Sequence, residues 1–194
     1  MLSNIWLIRH GETEWSRSGA HTGRTDIPLT DAGRENARAV GRALAGHQFS
    51  MVLVSPLARA RETCRLAGFG EAAQVDPNLS EWNYGDYEGR TTAEIRAQRP
   101  DWFLWKDGVP NGESIAQVGA RADAVLMRVE PLAGDVALFA HGHILRILTA
   151  RWLGLPPDAG RLFALGTATL SKLGYERETR VISEWNVPVT SSPG

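Results

Sequence analysis

Short apolar runs alternate with segments of helical periodicity along most of this chain. The apolar runs are rich in β-branched residues and bounded by polar ones, which is typical of buried strands in a parallel sheet. Candidates for such strands are residues 4–8, 51–55, 73–75 and 136–140. Strands that alternate with helices in this way predict an α/β fold, a single domain with a mostly parallel central sheet and helices on both faces.

The helical segments are recognised by the spacing of their apolar positions and by their end signals. Thr30 can cap a helix that runs to about residue 45, and Gly46 follows as its stop signal. Ser114 begins a second helix, which Pro131 ends. Two more helices are predicted over residues 57–67 and 144–153, and two edge strands over 168–175 and 180–185. The interval 79–112 has little periodicity and many aromatic residues, so we expect an irregular segment with a function.

Composition limits the chain to one domain and argues against several classes of partner. With 194 residues, of which 43% are hydrophobic, the chain is long enough for one sizeable core. We expect the domain to span residues 1–189 and residues 190–194 to form a disordered tail. The net charge of −1 argues against nucleic acid and anionic membranes as partners. The one cysteine, Cys64, fits a reducing compartment, and no apolar run could span a membrane, so we expect a soluble cytoplasmic protein.

The first apolar run ends abruptly in Arg9, His10 and Gly11. Ligands of open α/β sheets collect outside the carboxyl ends of the strands, so His10 is predicted to lie beside a ligand. A histidine can attack a phosphoryl group while a neighbouring guanidinium neutralises the phosphoryl oxygens, and glycine lets the backbone approach closely. Taken alone, His10 fits a hydrogen-bonded histidine at a strand end equally well.

Further motifs follow in a fixed order. After Leu7–Thr13 (LIRHGET) come Ser55–Thr63 (SPLARARET), Leu79–Gly85 (LSEWNYG) and Phe139–His143 (FAHGH). With these motifs the chain resembles the histidine phosphatase superfamily, the phosphoglycerate-mutase-like enzymes, from about residue 7 to about residue 146. Four ordered motifs are far more specific than a single Arg-His-Gly tripeptide.

The resemblance implies a role for each of five catalytic residues. His10 would be the nucleophile, kept neutral by the neighbouring arginines, and its attack on phosphorus would give a phosphohistidine. Arg9 and Arg59 would hold the equatorial oxygens in forked hydrogen bonds, and His141 would add a donor if it is protonated. Glu81 would protonate the leaving oxygen and afterwards take a proton from the attacking water.

Other positions of the motifs are expected to bind the substrate. Ser16 stands where the family often has asparagine, so that a hydroxyl would replace an amide as phosphate donor, and the loop at Thr22 and Gly23 can offer backbone N–H groups. His143 stands where the mutases usually have asparagine. The full set of predicted substrate-binding residues is Ser16, Thr22, Gly23, Trp82, Tyr84, Gly142 and His143.

Two groups of residues have alternative interpretations. The pair His141 and His143 could be a metal site, but no further cysteine or histidine cluster has ligand spacing, so we expect neither a metal nor another cofactor. The aromatic residues Trp102, Phe103 and Trp105 are either part of the core or a lid over the site.

Departures from the family pattern favour a phosphatase over a mutase. The mutases follow their catalytic glutamate with arginine and carry an inserted segment with basic residues, whereas this chain has Trp82 after Glu81 and is shorter. The motifs around Glu81 and His141 resemble the branch that contains the fungal sedoheptulose-1,7-bisphosphatases, which makes sugar phosphates or sugar bisphosphates the leading substrate class.

Alternative functions are a phosphoglycerate mutase, a phosphohistidine-protein phosphatase and, from another class, a non-catalytic phosphate-binding regulatory module. The first would transfer the phosphoryl group to a second sugar oxygen instead of water. The last is disfavoured because all five catalytic positions are present. The expected partner is a small phosphate ester, and the chain could also self-associate.

Overall fold

Strands from both halves of the chain form one six-stranded mixed sheet in the computed structural model, which describes residues 3–189. The strands are β1 (Ile5–Arg9), β2 (Met51–Val54), β3 (Ala73–Val75), β4 (Val136–Ala140), β5 (Thr169–Glu176) and β6 (Thr179–Pro188). Their order across the sheet is β3-β2-β4-β1-β5-β6, with β1 to β4 parallel and the last two antiparallel. The predicted mostly parallel sheet is therefore confirmed, whereas the predicted tail at 190–194 lies outside the described residues.

One of the two predicted edge strands does not lie at the edge. β5 pairs with β1 on one side and with β6 on the other, so the edge belongs to β6 alone. The burial of the two strands agrees with this, since most of β5 is buried and no residue of β6 is. Both strands carry enough apolar residues to look alike in sequence, and only the pairing distinguishes them.

The predicted helices are confirmed, with small shifts of their ends. The α-helices are α1 (Glu14–Ser18), α2 (Asp31–Ala43), α3 (Ala58–Leu66), α4 (Thr92–Arg96), α5 (Leu104–Asp107), α6 (Ile115–Val129) and α7 (Gly142–Trp152). Thr30 and Ser114 cap α2 and α6 as expected. The helices that the sequence pattern missed are the short ones, which hold too few residues to show a period. Among residues 3–189, no helix is long and apolar enough to cross a bilayer.

The helices cover both faces of the sheet, as the alternation of strands and helices predicts. Neighbouring side chains of one strand point to opposite faces. Leu7 and Leu138 belong to the core that includes α6 and α7, whereas Ile8 and Phe139 belong to the core that includes α2 and α3. The parallel strands are thus buried on both sides, which explains their continuous apolar runs.

The interval 79–112 is ordered, although its sequence has little periodicity. It contains α4, α5 and a 3-10 turn at Gly85–Tyr87. Its ends are held together because Glu113 N–H donates to the Asn83 carbonyl and Asp86 N–H donates to the Pro110 carbonyl, each at 3.0 Å. The segment is therefore largely irregular, as predicted, and local backbone bonds and buried aromatic residues fix it.

The backbone after β1 lies directly on the first turn of α2. A Cβ atom on Gly11 would come within 2.4 Å of the Gly33 carbonyl oxygen, and one on Gly33 within 2.2 Å of the Glu12 carbonyl oxygen. Thr30 fixes this contact from the helix side, because its N–H donates to the Glu12 carbonyl at 2.9 Å. Only glycine fits at these two positions.

We expect the substitution Gly11→Ala to lower the free energy of unfolding by about 1–3 kcal/mol, because the added methyl group would meet backbone that cannot move away freely. Urea denaturation followed by circular dichroism measures this. Gly46→Asn is the control, since Gly46 has a φ of +80° with open space around it, a conformation that asparagine tolerates. An equal effect of both substitutions would contradict the close packing of Gly11.

Candidate active site

His10 follows β1 and is held in one orientation and one protonation state. It is buried, and its Nδ1 lies 2.7 Å from the Gly11 carbonyl oxygen. A carbonyl oxygen only accepts, so Nδ1 carries the hydrogen and Nε2 keeps its lone pair. Burial, followed by the positive charges of Arg59 and Arg9, holds the pKa of His10 well below its usual range. The Nε2 of His10 is therefore a neutral nitrogen base.

His141 follows β4, the strand next to β1, and its ring centroid lies 5.1 Å from that of His10. Burial and the charge of Arg59 hold the pKa of His141 well below its usual range, which favours the neutral ring over the protonated donor of the prediction. Its Nε2 lies 2.7 Å from the Ser55 hydroxyl. If Ser55 donates to Nε2, the hydrogen of His141 is on Nδ1, which is buried and without a partner in the described part of the chain. A neutral His141 can thus donate.

Arg9 lies between the loop before β5 and the first turn of α7. Its Nη1 donates to the Leu165 carbonyl, and its Nε is buried without a partner among residues 3–189. A Cβ on Gly142 would lie 3.3 Å from the Cζ of Arg9. Gly142 therefore leaves space for the guanidinium against α7, which is a role in shaping the site rather than direct binding.

Arg59 is fully buried in α3, but it is used differently from the prediction. Its Nη1 donates to the Thr25 carbonyl at 3.0 Å, and its Nη2 to the Thr22 and Gly23 carbonyls at 3.0 and 2.8 Å. Three of its five N–H groups are thus used, and Nε is buried without a partner in the described residues. The predicted forked grip on a phosphoryl group is therefore corrected: Arg59 fixes the loop 22–25, and it is not among the described residues that line the cavity.

The backbone N–H of Gly23, which was predicted to bind phosphate, is already hydrogen-bonded to a side chain of the protein. The N–H groups of Gly23 and Thr25 donate to Oε1 of Glu88 at 2.8 and 3.1 Å. Thr22 lines the central cavity, with its hydroxyl donating to the Ala20 carbonyl at 3.1 Å. Glu88 and Arg59 together hold this loop from two sides, a role of Glu88 that the sequence analysis missed.

Ser16 lines the cavity, but its hydroxyl is committed to the start of α1. Oγ donates to the Thr13 carbonyl and accepts from the Thr13 N–H, both at 2.9 Å. A hydroxyl has one hydrogen, so none is left for a phosphate oxygen in this arrangement. The geometry does not support Ser16 as the replacement for an amide donor.

Glu81 is buried against the first turn of α7. Its Oε1 accepts from the backbone N–H groups of Trp82 and Ile144 at 2.9 and 3.0 Å, and its Oε2 accepts from that of His143 at 2.9 Å. The N-terminus of a helix has unpaired N–H groups and a partial positive charge, which together suit a carboxylate. Because α7 begins at Gly142, two residues before the predicted start, these N–H groups are available to Glu81.

Tyr84 and His143 line the cavity together, whereas Trp82 does not. The Tyr84 hydroxyl lies 2.6 Å from Nδ1 of His143. Trp82 is fully buried, stacks on Tyr84 and donates from Nε1 to the Glu113 carbonyl at 2.8 Å. The prediction that Trp82 binds substrate is therefore not supported, because this side chain supports the ones that face the cavity.

The cavity has a volume of about 320 Å³, near the lower end of the usual range for small-molecule sites. Trp102 and Trp105 line it although they are 2% and 8% exposed, and Phe103 lines it with 41% exposed. Trp102 and Trp105 therefore pack in the core and also form part of the cavity wall. Further lining residues are Arg9, His10, Ser16, Thr22, Glu81, Tyr84, Gly142, His143 and Leu165.

Two arginines that the sequence analysis missed also line the cavity. Arg96 donates from Nε to the Trp102 carbonyl at 2.9 Å, and Arg146 lies 4.7 Å from the centroid of the Trp105 ring. Both lie on helices, where a charge usually indicates a solvated face. Arg146 could have been found, because it is three residues after His143 and so on the same face of α7. Basic residues therefore reach the cavity without the inserted segment of the mutases.

The metal alternative is not supported by any grouping of side chains: within residues 3–189, no three His, Cys, Asp or Glu side chains cluster as ligands would.

The ordered motifs meet at one edge of the sheet. They bring Glu81 to the first turn of α7, near His10 and His141, which follow β1 and β4. The family model described as histidine phosphatase superfamily (branch 1) matches residues 5–188. The chain belongs to the histidine phosphatase superfamily. Together with the phosphatases among its relatives, this membership makes it a phosphoric monoester hydrolase.

Relatives within the superfamily cover nearly the whole chain. An acid phosphatase of Mycobacterium tuberculosis is 43% identical over 92% of this chain and 90% of its own length. The sedoheptulose 1,7-bisphosphatase of Saccharomyces cerevisiae is 38% identical over 77% of this chain and 67% of its own length. The solved structure of a Mycobacterium tuberculosis open reading frame product has a TM-score of 0.90 at 39% identity, covering 97% of this chain and 99% of that one.

We expect Arg59→Lys to lower kcat for a phosphate ester by about 100-fold, because one ammonium group cannot hold three carbonyls and also donate to the phosphoryl oxygens. Steady-state kinetics with thermal denaturation as a folding check measures this. Arg61→Lys is the matched control, since Arg61 is exposed on the same helix. A folded Arg59→Lys protein with wild-type kcat would mean that charge alone suffices at this position.

Proposed function

We propose that this protein hydrolyses phosphomonoesters of sugars through a phosphohistidine intermediate on His10. The observation that carries the proposal is a set of buried nitrogen atoms without partners in the described residues: Nε of Arg9, Nε of Arg59 and Nδ1 of His141, which carries a hydrogen when Ser55 donates to Nε2. Unpaired buried donors are costly, so a ligand that satisfies them is favoured. A phosphoryl group has three equatorial oxygens, which could accept from these donors.

In the first step, the lone pair on Nε2 of His10 forms a bond to phosphorus as the ester P–O bond breaks. The donors of Arg9, Arg59 and His141 stabilise the charge on the equatorial oxygens. Arg59 contributes without moving, since its other nitrogens are tied to the loop 22–25. Such preorganised donors act most strongly in a buried site.

Glu81 is suited to move protons at the leaving oxygen. A carboxylate has about four lone-pair positions, and three of those on Glu81 are occupied by backbone N–H groups. The open position is on Oε2. With a proton on this open position at the start of the cycle, Glu81 would protonate the leaving oxygen as the P–O bond breaks, which releases the alcohol. The resulting carboxylate would take a proton back from the water that attacks phosphorus, as the P–N bond returns its electrons to His10.

The far side of the cavity suits a polar substrate with more than one anionic group. The lining side chains include the guanidinium groups of Arg9, Arg96 and Arg146 and the carboxylate of Glu81. Arg9 is needed for the reacting phosphate, which leaves two positive charges beside Trp102 and Trp105. This supports the sugar bisphosphates within the proposed substrate class, as does the similarity to the yeast bisphosphatase.

The location of the protein in the cell and its macromolecular partners stay predictions. A cytoplasmic location is a prediction from the sequence, since a single cysteine fits a reducing compartment. Self-association and the absence of a nucleic-acid partner are predictions that follow from the sequence alone.

The test of the mechanism is Glu81→Gln with two leaving groups. A sugar alkoxide leaves poorly and needs a proton, so we expect its hydrolysis to fall by about 100-fold or more. A nitrophenolate leaves without a proton, so phosphorylation of His10 by nitrophenyl phosphate should continue. Because glutamine cannot activate water, the phosphoenzyme should accumulate, and rapid mixing should show a burst of nitrophenol before a slow steady state.

His10→Ala is the control for this burst and should show none, with folding checked by circular dichroism. Equal losses for both leaving groups and no burst in Glu81→Gln would contradict the role of Glu81. Transfer of the phosphoryl group from His10 to a second sugar instead of water would identify a mutase, and binding of phosphate without turnover would identify a regulatory module.

The substrate class is tested by Arg96→Gln. We expect this change to lower the ratio of kcat/KM for fructose 1,6-bisphosphate to that for fructose 6-phosphate by about 10-fold, because one charge-assisted contact to the second phosphate is lost. Arg99→Gln is the control, since Arg99 is exposed and bonded to Tyr87 at 3.1 Å. An unchanged ratio in Arg96→Gln would remove Arg96 from substrate recognition.

A further inference from the structure

Tyr84 and His143 form a short hydrogen bond inside the cavity wall. The Tyr84 hydroxyl is 2.6 Å from Nδ1 of His143, and Tyr84 is 2% exposed. His143 is tied to Glu81 by its own backbone N–H, and its Nδ1 lies 4.0 Å from Oε2 of that carboxylate. The pair therefore lies beside the group that exchanges protons with the leaving oxygen, yet the hydrolysis described above makes no use of it.

Both partners are neutral. Burial and the charge of Glu81 hold the pKa of Tyr84 well above its usual range, so it is a phenol. Burial and the charges of Arg146 and Arg9 hold the pKa of His143 well below its usual range, which favours the neutral imidazole. A neutral imidazole carries one hydrogen, on either Nδ1 or Nε2.

The surroundings decide between these two forms. If Nδ1 carried the hydrogen, it would donate to the phenol oxygen, and the phenol hydrogen would need another acceptor. Within residues 3–189 the Tyr84 hydroxyl has no other hydrogen-bond partner. An unpaired buried hydroxyl hydrogen is costly, so Tyr84 donates to Nδ1 and the hydrogen of His143 is on Nε2.

The Nε2–H group of His143 is open to the cavity. In the described part of the chain it makes no hydrogen bond, and it is not among the buried atoms that lack one. His143 lines the cavity together with Glu81, and its side chain is 21% exposed. The cavity thus has an uncharged donor of fixed direction next to the carboxylate.

We propose that His143 recognises a hydroxyl oxygen of the substrate's alcohol part through Nε2–H, and that Tyr84 is a positioning residue that holds His143 in this tautomer. This rests on the proposed phosphatase function and adds a specificity determinant to it. An uncharged donor suits a hydroxyl, because it leaves the charge of Glu81 and of the phosphate unchanged. A site built to bond a hydroxyl discriminates strongly against an analogue that lacks it.

The test compares glycerol 3-phosphate with propyl phosphate, two esters with the same carbon chain that differ in their hydroxyl groups. The measured quantity is the ratio of their kcat/KM values. We expect His143→Leu to lower this ratio by about 10-fold or more. His143→Gln should recover part of it, since the glutamine amide can donate near the position of Nε2. Tyr84→Phe should give an intermediate ratio.

Tyr87→Phe is the matched control, because Tyr87 is a buried tyrosine of the same segment whose hydroxyl accepts from Arg99. It should leave the ratio unchanged. A purely structural role for Tyr84 and His143 would lower the rates for both esters together, with no change in the ratio, and that result would overturn the proposal.

Two measurements separate this proposal from the proposed function. Calorimetric binding of the same esters to His10→Ala gives the discrimination without turnover. Nitrogen-15 NMR of wild type should show His143 protonated on Nε2, and Tyr84→Phe should show a mixture of tautomers. A hydrogen on Nδ1 in wild type, or equal binding of both esters, would overturn the proposal even if the protein hydrolyses phosphate esters.

Discussion

The parallel pairing of β1 with β4 is the contact on which the site depends. Arg9 is paired with Ala140 in the register, so the residues after them, His10 and His141, start from the same level of the sheet. The His10 N–H donates to the Ala140 carbonyl at 3.0 Å, which extends the pairing one residue beyond the strand. A shift of this register by one residue would turn the alternate side chains of the strand to the opposite face. The nucleophile and its neighbouring donor are thus set by backbone bonds rather than by flexible side chains.

The same strand end fixes the electrostatics. β4 leads directly into α7, whose first turn supplies N–H groups to Glu81, so a carboxylate is held near buried arginines without forming an ion pair with them. The Nη1 and Nη2 groups of Arg59 instead donate to backbone carbonyls of the loop 22–25. This separation leaves positive charge unneutralised in a buried place, which is costly in the free protein. In the proposed function a phosphate dianion would lower this cost, so folding would prepare part of the affinity for phosphate.

The sequence predicted those parts of the site that follow from strand ends and helix starts. His10 and His141 could be found because apolar runs end just before them, and β-strand ends of a parallel sheet meet at one edge. What could not be predicted depends on contacts between distant segments. Nothing in the local sequence distinguishes Arg59, which ties three carbonyls, from Arg61, which is exposed on the same helix. Trp82 belongs to the same motif as Glu81, but its side chain is fully buried and donates to the Glu113 carbonyl, a contact that the motif does not reveal.

The two sides of the cavity consist of different kinds of structure. The chemical side consists of strand ends and a helix terminus, where backbone geometry leaves little freedom. The opposite side consists of short helices and buried aromatic residues between 84 and 105, joined by bonds within the segment such as that of Arg96 to the Trp102 carbonyl. Substitutions there change the shape and charge of the cavity with little effect on β1 or β4. A fold of this kind can therefore keep one mechanism of phosphoryl transfer while the alcohol that it accepts changes.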